Sequence, residues 1–323
     1  MARNTYGLDL GSYEIKVYDK KQDTIWKEKN VLAVQDKKEI IAIGEDAYQM
    51  YEKTPPDIEV AFPMRDGVIS RFNDMQNLLQ NILKKNRHFS RGAEYVIAVP
   101  TDVTEVQKKA FFDLVIHSNA KAREVNIVER SIADAVGLGI DVQNTTGVMI
   151  INFGGETTEL SVLTEGGIVF NRLLKLGGTT LDQEIVNLVR NSHDFLIGSR
   201  TAEILRQQFD VFNGDSETAF SVAGRDLITG LPMRKTISIT LVRAAFKDTL
   251  LECMKAVRSM LDRTPPEIRK AIYQNGIYLT GGIANMSGLD AYVESMTKIH
   301  TTAAQKPGIC KWVKENHAFQ GSQ

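Results

Sequence analysis

The sequence predicts an α/β protein made of two related domains. The first observation is length, since 323 residues exceed the roughly 100–200 residues of a typical single domain. The second is a pair of similar hairpins with glycine at the turn, at residues 6–18 and 148–163. The third is the alternation of apolar strands with helical patterns in both halves of the chain. Because each half contains one such hairpin, we expect two domains of like design.

The first hairpin alternates apolar and polar residues around Asp9-Leu10-Gly11-Ser12, which predicts a strand, a tight turn and a strand. We name residues 9–12 the first glycine turn. The second hairpin turns at residues 152–155, Asn-Phe-Gly-Gly, which we name the second glycine turn. A third glycine turn, residues 280–284, follows the apolar residues 276–279 and precedes a helix predicted from Ser287. Glycine therefore recurs where predicted strands end.

The segments between these turns alternate strands with helices. Strands are predicted at residues 95–99 and 125–128. Helices are predicted at residues 73–85, 105–118, 131–139, 180–191, 199–210, 241–261 and 266–273. Residues 213–217 are polar and rich in turn formers, which predicts a loop, whereas residues 305–323 are weakly patterned.

The composition is that of an ordinary globular protein. Lys+Arg 39 nearly balance Asp+Glu 40, which gives nucleic-acid binding no support. Cys253 and Cys310 are too few for a disulfide framework and lack metal-ligand spacing, so we expect buried apolar roles in a reducing cytoplasm. No signal peptide is expected, and no apolar run approaches the ~20 residues that a membrane-spanning helix needs. Any membrane association is therefore expected to be peripheral.

The glycine turns have the chemistry of a phosphate site. Gly11 lets backbone N–H groups approach a ligand closely, and Ser12 adds a hydroxyl suited to phosphate oxygens. Asp9 is placed to hold a water of a bound Mg2+. A lone turn of this sequence is usually an ordinary structural turn. Its repetition in the second hairpin favours two opposed turns that clamp a polyphosphate, with Gly281-Gly282 bordering the base or the α-phosphate.

The motifs along residues 5–310 resemble, in order, those of the MreB family of bacterial actins. The matching segments are residues 9–12 (DLGS), 63–69 (PMRDGVI), 99–106 (VPTDVTEV), 152–159 (NFGGETTE), 196–203 (LIGSRTAE), 224–232 (GRDLITGLP) and 279–282 (LTGG). The resemblance implies an actin-like fold in which two related α/β domains with ribonuclease H-like cores surround a nucleotide cleft. It also implies ATP and Mg2+ as cofactors, and homopolymeric filaments that organise cell-wall synthesis and cell shape.

The same resemblance sets domain bounds and binding roles. The first domain is expected at residues 1–140 plus about 304–323, with an insertion at about 30–62. The second is expected at residues 141–303, with an insertion at about 180–240. Nucleotide contacts are implied for Asp9, Gly11, Ser12, Tyr13, Glu14, Gly154, Gly155, Glu156, Thr157, Glu203, Ile204, Leu205, Arg206, Gly281, Gly282, Ile283 and Ala284. Arg206 stands where the family usually has Lys, which keeps the charge.

Three further positions, all beside the phosphate turns, depart from the family pattern. Asn152 replaces the Asp that begins the second phosphate loop, and Glu156 replaces its third glycine. Arg130 occupies the position of the Glu that orients the attacking water, and it cannot act as a base. Arg130 stabilising phosphate charge and Glu129 orienting the water are alternatives to simple loss of that role. We expect ATP binding with weak hydrolysis, and at most a slow ATPase.

A basic stretch with one aromatic residue, residues 84–91, follows the helix predicted at 73–85. Its location resembles the membrane-touching loop of the MreB family, which would place Lys84, Lys85 and Phe89 at an anionic lipid surface on the inner face of the cell membrane. The alternative is a solvated loop whose cations match the helix dipole.

Other functions remain open at this point. A pseudo-ATPase adaptor that assembles with another actin homologue would retain the fold and lose hydrolysis. A small-molecule kinase of the same superfamily would use the same cleft, but no substrate base stands beside the phosphate turns. The cell-wall synthesis complex is the expected partner.

Overall fold

The computed structural model describes residues 4–85, 92–119, 121–165 and 167–304. Two compact units divide the chain. The first lies within Met1–Thr145 and Gly166–Asn171, and the second within Thr146–Glu165 and Arg172–Gln305. Three of the residues named above lie outside the described part of the chain: Phe89, Cys310 and the side chain of Lys85. The segment 305–323 also lies outside it.

The first unit is built on a mixed five-stranded sheet. Its elements in chain order are β1 (Thr5–Leu10), β2 (Glu14–Asp19), β3 (Thr24–Lys29), β4 (Leu32–Gln35), β5 (Glu39–Ile43), α1 (Glu45–Met50), β6 (Ile58–Ala61), β7 (Met64–Arg65), β8 (Val68–Ile69), α2 (Phe72–Lys85), β9 (Glu94–Val99), α3 (Glu105–Ile116), β10 (Glu124–Glu129) and α4 (Arg130–Leu138). The sheet order is β10-β9-β1-β2-β3, and a smaller sheet has the order β5-β4-β6. β1 pairs antiparallel with β2 and parallel with β9, which places the predicted hairpin at the centre of the sheet.

Burial explains why these segments form the core of the first unit. Leu8, Leu10 and Ile15 are fully buried. Five of the six residues of β1 are buried, as expected for a central strand that is covered on both faces. α3 begins at a capping box in which the Thr104 hydroxyl accepts from Gln107 N and the Gln107 side chain accepts from Thr104 N. This cap fixes the helix start at Glu105, as the sequence predicts.

The second unit repeats the design. Its elements are β11 (Val148–Phe153), β12 (Thr158–Thr164), β13 (Gly167–Leu174, of which residues 167–171 are counted with the first unit), α5 (Gly178–His193), β14 (Phe195–Leu196), α6 (Ser199–Gln208), β15 (Ala219–Asp226), β16 (Pro232–Ser238), α7 (Ile239–Arg263), α8 (Pro266–Asn275), β17 (Ile277–Thr280), α9 (Leu289–Thr297) and β18 (Thr301–Ala303). The main sheet has the order β13-β12-β11-β17-β18, and a smaller sheet has the order β14-β15-β16. β11 pairs antiparallel with β12 and parallel with β17, which matches the pairing of β1 with β2 and β9.

Most predicted elements are confirmed within a few residues. The helix predicted from Ser287 begins at Leu289. Gly288 adopts a left-handed conformation (φ 82°) that is incompatible with a helix, so the first helical residue is the one that follows it. The two three-stranded sheets and the two-stranded sheet β7-β8 were not predicted from the sequence. The strands β4, β5 and β6 have only four or five residues, whereas β15 and β16 are longer but largely exposed and polar, so they lack a clear apolar pattern. Cys253 is buried as predicted, and burial raises the pKa of its thiol to about 12. No helix within the described ranges is both long and apolar enough to cross a membrane.

Candidate functional site

The first glycine turn is closed by a short-range bond that requires glycine. Gly11 N donates to Glu14 O at 3.2 Å, and a Cβ added at Gly11 would lie only 2.8 Å from that oxygen. Asn30 Nδ2 donates to Gly11 O at 2.7 Å, while Gly67 N donates to the Ser12 hydroxyl at 3.1 Å. The turn is therefore held from both sides, and Ser12 is tied to the segment 63–69 that carries a family signature.

Two cations surround the carboxylate at the base of this turn. Lys16 Nζ lies 3.0 Å from Asp9 Oδ2, and Arg130 Nη2 lies 3.5 Å from Asp9 Oδ1. Burial alone would raise the pKa of Asp9, but attraction to Lys16 and Arg130 outweighs it, so the pKa lies below its ordinary value. The same attraction raises the pKa of Lys16 above its ordinary value. The three groups are therefore charged together at neutral pH.

Arg130 has an unused buried donor. Its Nη2 is buried and makes no hydrogen bond to any described residue, because 3.5 Å to Asp9 is beyond the usual length of such a bond. Arg130 opens α4 directly after Glu129, the last residue of β10, which is half-buried. A buried guanidinium with a spare donor fits an anionic ligand.

Tyr13 and Glu14 lie at the end of the first glycine turn and contact neighbouring elements. Lys29 donates to the Tyr13 hydroxyl and lies over the rings of Tyr13 and Tyr48. Lys27 Nζ lies 3.8 Å from Glu14 Oε1. These contacts attach the turn to β3 and α1.

The second glycine turn has the same geometry as the first. Gly154 N donates to Thr157 O at 2.8 Å, and a Cβ at Gly154 would lie 2.8 Å from that oxygen. The spacing from donor to acceptor is three residues in both turns, which is the structural counterpart of the sequence repeat. Thr157 is buried, and Glu156 is half-buried.

The start of α5 packs directly on the second glycine turn. Gly178 N donates to Gly154 O at 3.2 Å and Thr179 N to Gly155 O at 2.8 Å. A Cβ at Gly177 would lie 2.7 Å from the backbone carbon of Glu156, so this close approach requires glycine. The two segments therefore form one rigid backbone cradle.

The third glycine turn lies against the second. Gly281 has φ +87°, and a Cβ there would lie 2.3 Å from Phe153 O and 2.9 Å from Asn152 Oδ1. Gly282 has ordinary helical angles and open space around it. Ile283 and Ala284 are buried in the short 3-10 turn that follows. The side chain of Asn152, which stands where the family usually has Asp, therefore lies between the second and third glycine turns.

α5, α6 and the third glycine turn converge around one buried ion pair. Arg206 Nε lies 2.6 Å from Asp182 Oδ1, and Arg206 Nη2 lies 3.1 Å from Asp182 Oδ2. Glu203 Oε1 lies 4.0 Å from Arg206 Nη2. A Cβ at Gly178 would lie 3.4 Å from Arg206 Nη2 and 3.1 Å from Ile283 Cδ1. The two charged residues predicted from α6 are thus brought together with the third turn.

The remaining α6 positions lie on other faces. Leu205 is fully buried in the core, and the side chain of Ile204 is 44% exposed. Sequence reasoning missed Lys16, Asp182 and the glycines before α5. Lys16 had a usable signal, because it is the residue directly opposite Asp9 across the predicted hairpin. Asp182 had none, since its partner is 24 residues away on another helix.

In each unit the residues around the glycine turns suit a phosphate-bearing ligand held by backbone N–H groups and cations. Among the described residues, no three His, Cys, Asp or Glu side chains gather as a metal centre. An ion that reaches the site with phosphates and waters needs no such cluster. Backbone cradles that a Cβ would fill and the spare donor of Arg130 both match the predicted ligand class.

The chain matches the family model described as MreB/Mbl protein over residues 3–316. It is 33% identical to the cell shape-determining protein MreB of Escherichia coli (strain K12), over 96% of this chain and 91% of that protein. It is 31% identical to the cell shape-determining protein Mbl of Bacillus subtilis (strain 168), over 94% of this chain and 92% of that protein.

Solved structures agree with this result. The structure of MreB 5 of Spiroplasma citri bound to AMPPNP has a TM-score of 0.90 at 30% identity, covering 97% of this chain and 94% of that one. A MamK double helical filament has a TM-score of 0.80 at 20% identity, covering 97% of this chain and 98% of that one, and shows likeness of fold. The chain is therefore a member of the MreB/Mbl family of cell shape-determining actin homologues, with the actin-like fold in its two α/β units.

Proposed function

We propose that this protein is an ATP-binding, filament-forming MreB-like actin homologue with weak ATP hydrolysis, which organises cell-wall synthesis at the inner face of the membrane. The observation that carries the proposal is the duplicated glycine turn, closed by the same bond in both units and accompanied by buried cations in each. The Spiroplasma citri relatives bound to AMPPNP and to ADP support the ligand class.

Each unit supplies a distinct set of groups to the nucleotide. In the first unit, Gly11, Ser12 and the cations Lys16 and Arg130 hold phosphate, and Asp9 orients those cations. In the second unit, the backbone of residues 154–157 holds phosphate, while Glu203, Arg206 and residues 281–284 hold the nucleoside. Bound Mg2+ supplies charge neutralisation of the phosphates. The buried salt bridge between Arg206 and Asp182 fixes the Arg206 guanidinium in place.

Weak hydrolysis follows from the polar groups around the turns. Arg130 is a permanent cation that binds Asp9, so it contributes charge and cannot orient water as a base. Glu129 keeps a carboxylate one residue away and is the alternative water-orienting group. Asn152 is uncharged and gives the water shell of a metal weaker support than Asp would. We therefore expect the protein to retain ATP binding although its ATP hydrolysis is weak.

Self-assembly is supported by an exposed apolar surface in the second unit. We name the side chains of Leu227, Ile228, Leu231 and Met233 the apolar tip. Ile228 is 80% exposed and Leu231 63%, an unusual state for large aliphatic residues in a well-formed turn. The turn is rigid, because Asp226 accepts from Thr229 N and from Lys235 Nζ. A second copy of the chain is the proposed occupant, in keeping with the filament formed by the MamK relative.

The membrane part of the proposal depends on Lys84, Lys85 and Phe89. Lys84 is exposed at the end of α2. A cation there interacts favourably both with the negative end of the helix dipole and with an anionic lipid surface. Co-sedimentation with vesicles containing phosphatidylglycerol measures this association. We expect Phe89→Ala with Lys84→Gln and Lys85→Gln to reduce it, and unchanged co-sedimentation would overturn the membrane role.

A pseudo-ATPase adaptor that co-assembles with another actin homologue is the second candidate, because Arg130 and Asn152 replace the groups that hydrolysis needs. Calorimetry with ATP and Mg2+, followed by pelleting alone and with an intact relative, separates the two. Binding with pelleting alone supports the filament former. Pelleting only in the mixture supports the adaptor, and a folded protein that binds no ATP at millimolar concentration overturns both.

A further inference from the structure

The second unit contains a surface cavity that the glycine turns do not form. It has a volume of about 550 Å³ and is walled by the end of α7, by α8 and by the last turn of α9. A volume of this size is within the range of small-molecule sites. None of the residues in its wall belongs to the nucleotide site described above.

The cavity wall carries an excess of positive charge. Arg258, Arg269 and Lys298 line it, against one acidic side chain, Asp262, among the lining residues that the structure describes. The side chains of Arg269 and Lys298 make no hydrogen bond or ion pair with any residue in the described ranges. Cations gathered without carboxylate partners leave an attractive field for an anion.

Arg258 is fixed at this wall. Its Nη2 donates to Met296 O in the last turn of α9 at 2.8 Å, which uses one of the five N–H donors of a guanidinium. Lys298 follows α9 in the left-handed conformation, φ 62°, and its N–H donates to Glu294 O. The Arg258 guanidinium and the backbone of Lys298 are therefore held by backbone carbonyls rather than by acidic side chains.

The helix dipole does not explain all of this charge. A cation at the end of α9 is favoured by the helix carbonyls, which accounts for Arg258 and Lys298. Arg269 lies near the middle of α8 (Pro266–Asn275), away from its carboxyl end, and is half-buried. Arg269 is therefore a third cation in the cavity wall whose presence the dipole of α9 does not explain.

The cavity also has an apolar part. Leu261 in its wall is buried, with 5% of its surface exposed, and the ring of Tyr273 is 52% exposed. A ligand that combines an anionic group with an apolar or aromatic body would contact both parts. We propose that this cavity binds the phosphate group of such a ligand, either a soluble phosphate monoester or the head group of an acidic phospholipid.

The test uses the full chain and two probes, phenyl phosphate and vesicles containing phosphatidylglycerol. The cavity variant is Arg269→Glu with Lys298→Glu. The matched control is Lys270→Glu with Lys255→Glu, since these lysines are exposed on α8 and α7 and do not line the cavity. The binding of each probe is measured with and without saturating AMPPNP. AMPPNP blocks phosphate binding at the glycine turns, so the binding that remains in its presence occurs elsewhere.

We expect phenyl phosphate to bind the parent in the presence of AMPPNP. Losing a charge-assisted hydrogen bond typically weakens binding about tenfold or more, so the cavity variant should lose at least about tenfold in affinity and the control less than about twofold. If the cavity variant also loses vesicle binding, the ligand is the head group of an acidic phospholipid. If it loses only phenyl phosphate binding, the ligand is a soluble phosphate monoester. No saturable binding of either probe to the parent, or equal loss in the control, overturns the proposal. Arg269→Gln with Lys298→Gln replaces the cavity variant if circular dichroism shows that the Glu variant is unfolded.

Discussion

Asp9 and Lys16 face each other across the hairpin of the first unit, with Lys16 Nζ 3.0 Å from Asp9 Oδ2. Each residue is mostly buried, and Arg130 adds a second cation to the same carboxylate. A charge in such a place is stable only while its partners remain. The stability of the first unit therefore depends on these three side chains, two of which, Lys16 and Arg130, are also the proposed phosphate ligands.

Lys16→Met should destabilise the first unit. Breaking a buried pair typically costs about 3–5 kcal/mol, and the cost here should be smaller because Arg130 remains beside Asp9. The pKa of Asp9 is lowered from 3.8 and that of Lys16 is raised from 10.5. The pair therefore contributes its full stability between these ordinary values and loses it below the lowered pKa of Asp9 or above the raised pKa of Lys16. Urea unfolding across pH measures this.

The control for that experiment is Lys27→Met, which removes the exposed partner of Glu14. Exposed ion pairs are worth about 0–1 kcal/mol, so this variant should unfold nearly as the parent does. If Lys16→Met is no less stable than Lys27→Met at neutral pH, the pair of Asp9 and Lys16 is not structural.

Hydrolysis should be slow in the parent and should recover in part on reversion to the family residues. The variants are Asn152→Asp, Arg130→Glu and the double variant. Positioning and electrostatics are nearly all that a protein contributes to phosphoryl transfer, so each single reversion should recover little and the double more than their sum. Phosphate release at saturating ATP is the measurement. A parent as fast as an intact relative would contradict the roles given to Arg130 and Asn152.

Arg130→Glu alone should also weaken ATP binding. The new carboxylate would lie beside Asp9, which Arg130 now approaches to 3.5 Å, and like charges at this distance repel both each other and phosphate. Calorimetry should show at least about a tenfold loss of affinity, since one charge-assisted contact is worth roughly 1.5–3 kcal/mol. Arg123→Glu, an exposed residue that precedes β10, is the control and should bind as the parent does. Equal affinities for all three proteins would remove Arg130 from the site.

Gly281→Ala should damage the third glycine turn, whereas Gly282→Ala should not. Ala at Gly281 must adopt φ +87° and place its Cβ 2.3 Å from Phe153 O, and the left-handed conformation alone costs about 1–2 kcal/mol. Gly282 has helical angles and nothing within 4 Å of a new Cβ. In urea unfolding and ATP calorimetry, Gly281→Ala should therefore be less stable and bind ATP more weakly than the parent, while Gly282→Ala should match the parent. Equal stability and affinity would show that the third turn tolerates a side chain.

Ile228→Ser with Leu231→Ser should reduce self-assembly without unfolding the protein. Both side chains are largely exposed in the apolar tip, so the change removes apolar contact area with a second copy and leaves the core intact. Val106→Ser is the control, because Val106 is 79% exposed on α3. Pelleting in the presence of ATP and Mg2+ is the measurement. Loss of pelleting in both proteins, or in neither, would exclude the apolar tip as a specific contact.

The sequence by itself determined the local design. Alternation around Gly11 and Gly154 predicted both hairpins, and the helical patterns located the main helices, because hydrophobic period and turn chemistry act over a few residues. The family motifs located the glycine turns and the departures at Arg130 and Asn152. The register of the first hairpin sets Lys16 opposite Asp9 on the neighbouring strand.

Only the tertiary structure decided which distant groups meet. Arg130 reaches Asp9 across 121 positions of sequence because β10, β9 and β1 are neighbours in one sheet. Arg206 pairs with Asp182 because α5 and α6 pack together, and the three cations of the α7, α8 and α9 cavity are brought together in the same way. Periodicity predicts which face of an element is buried, but the partner of a buried charge is set by the packing of whole elements, which no local pattern encodes.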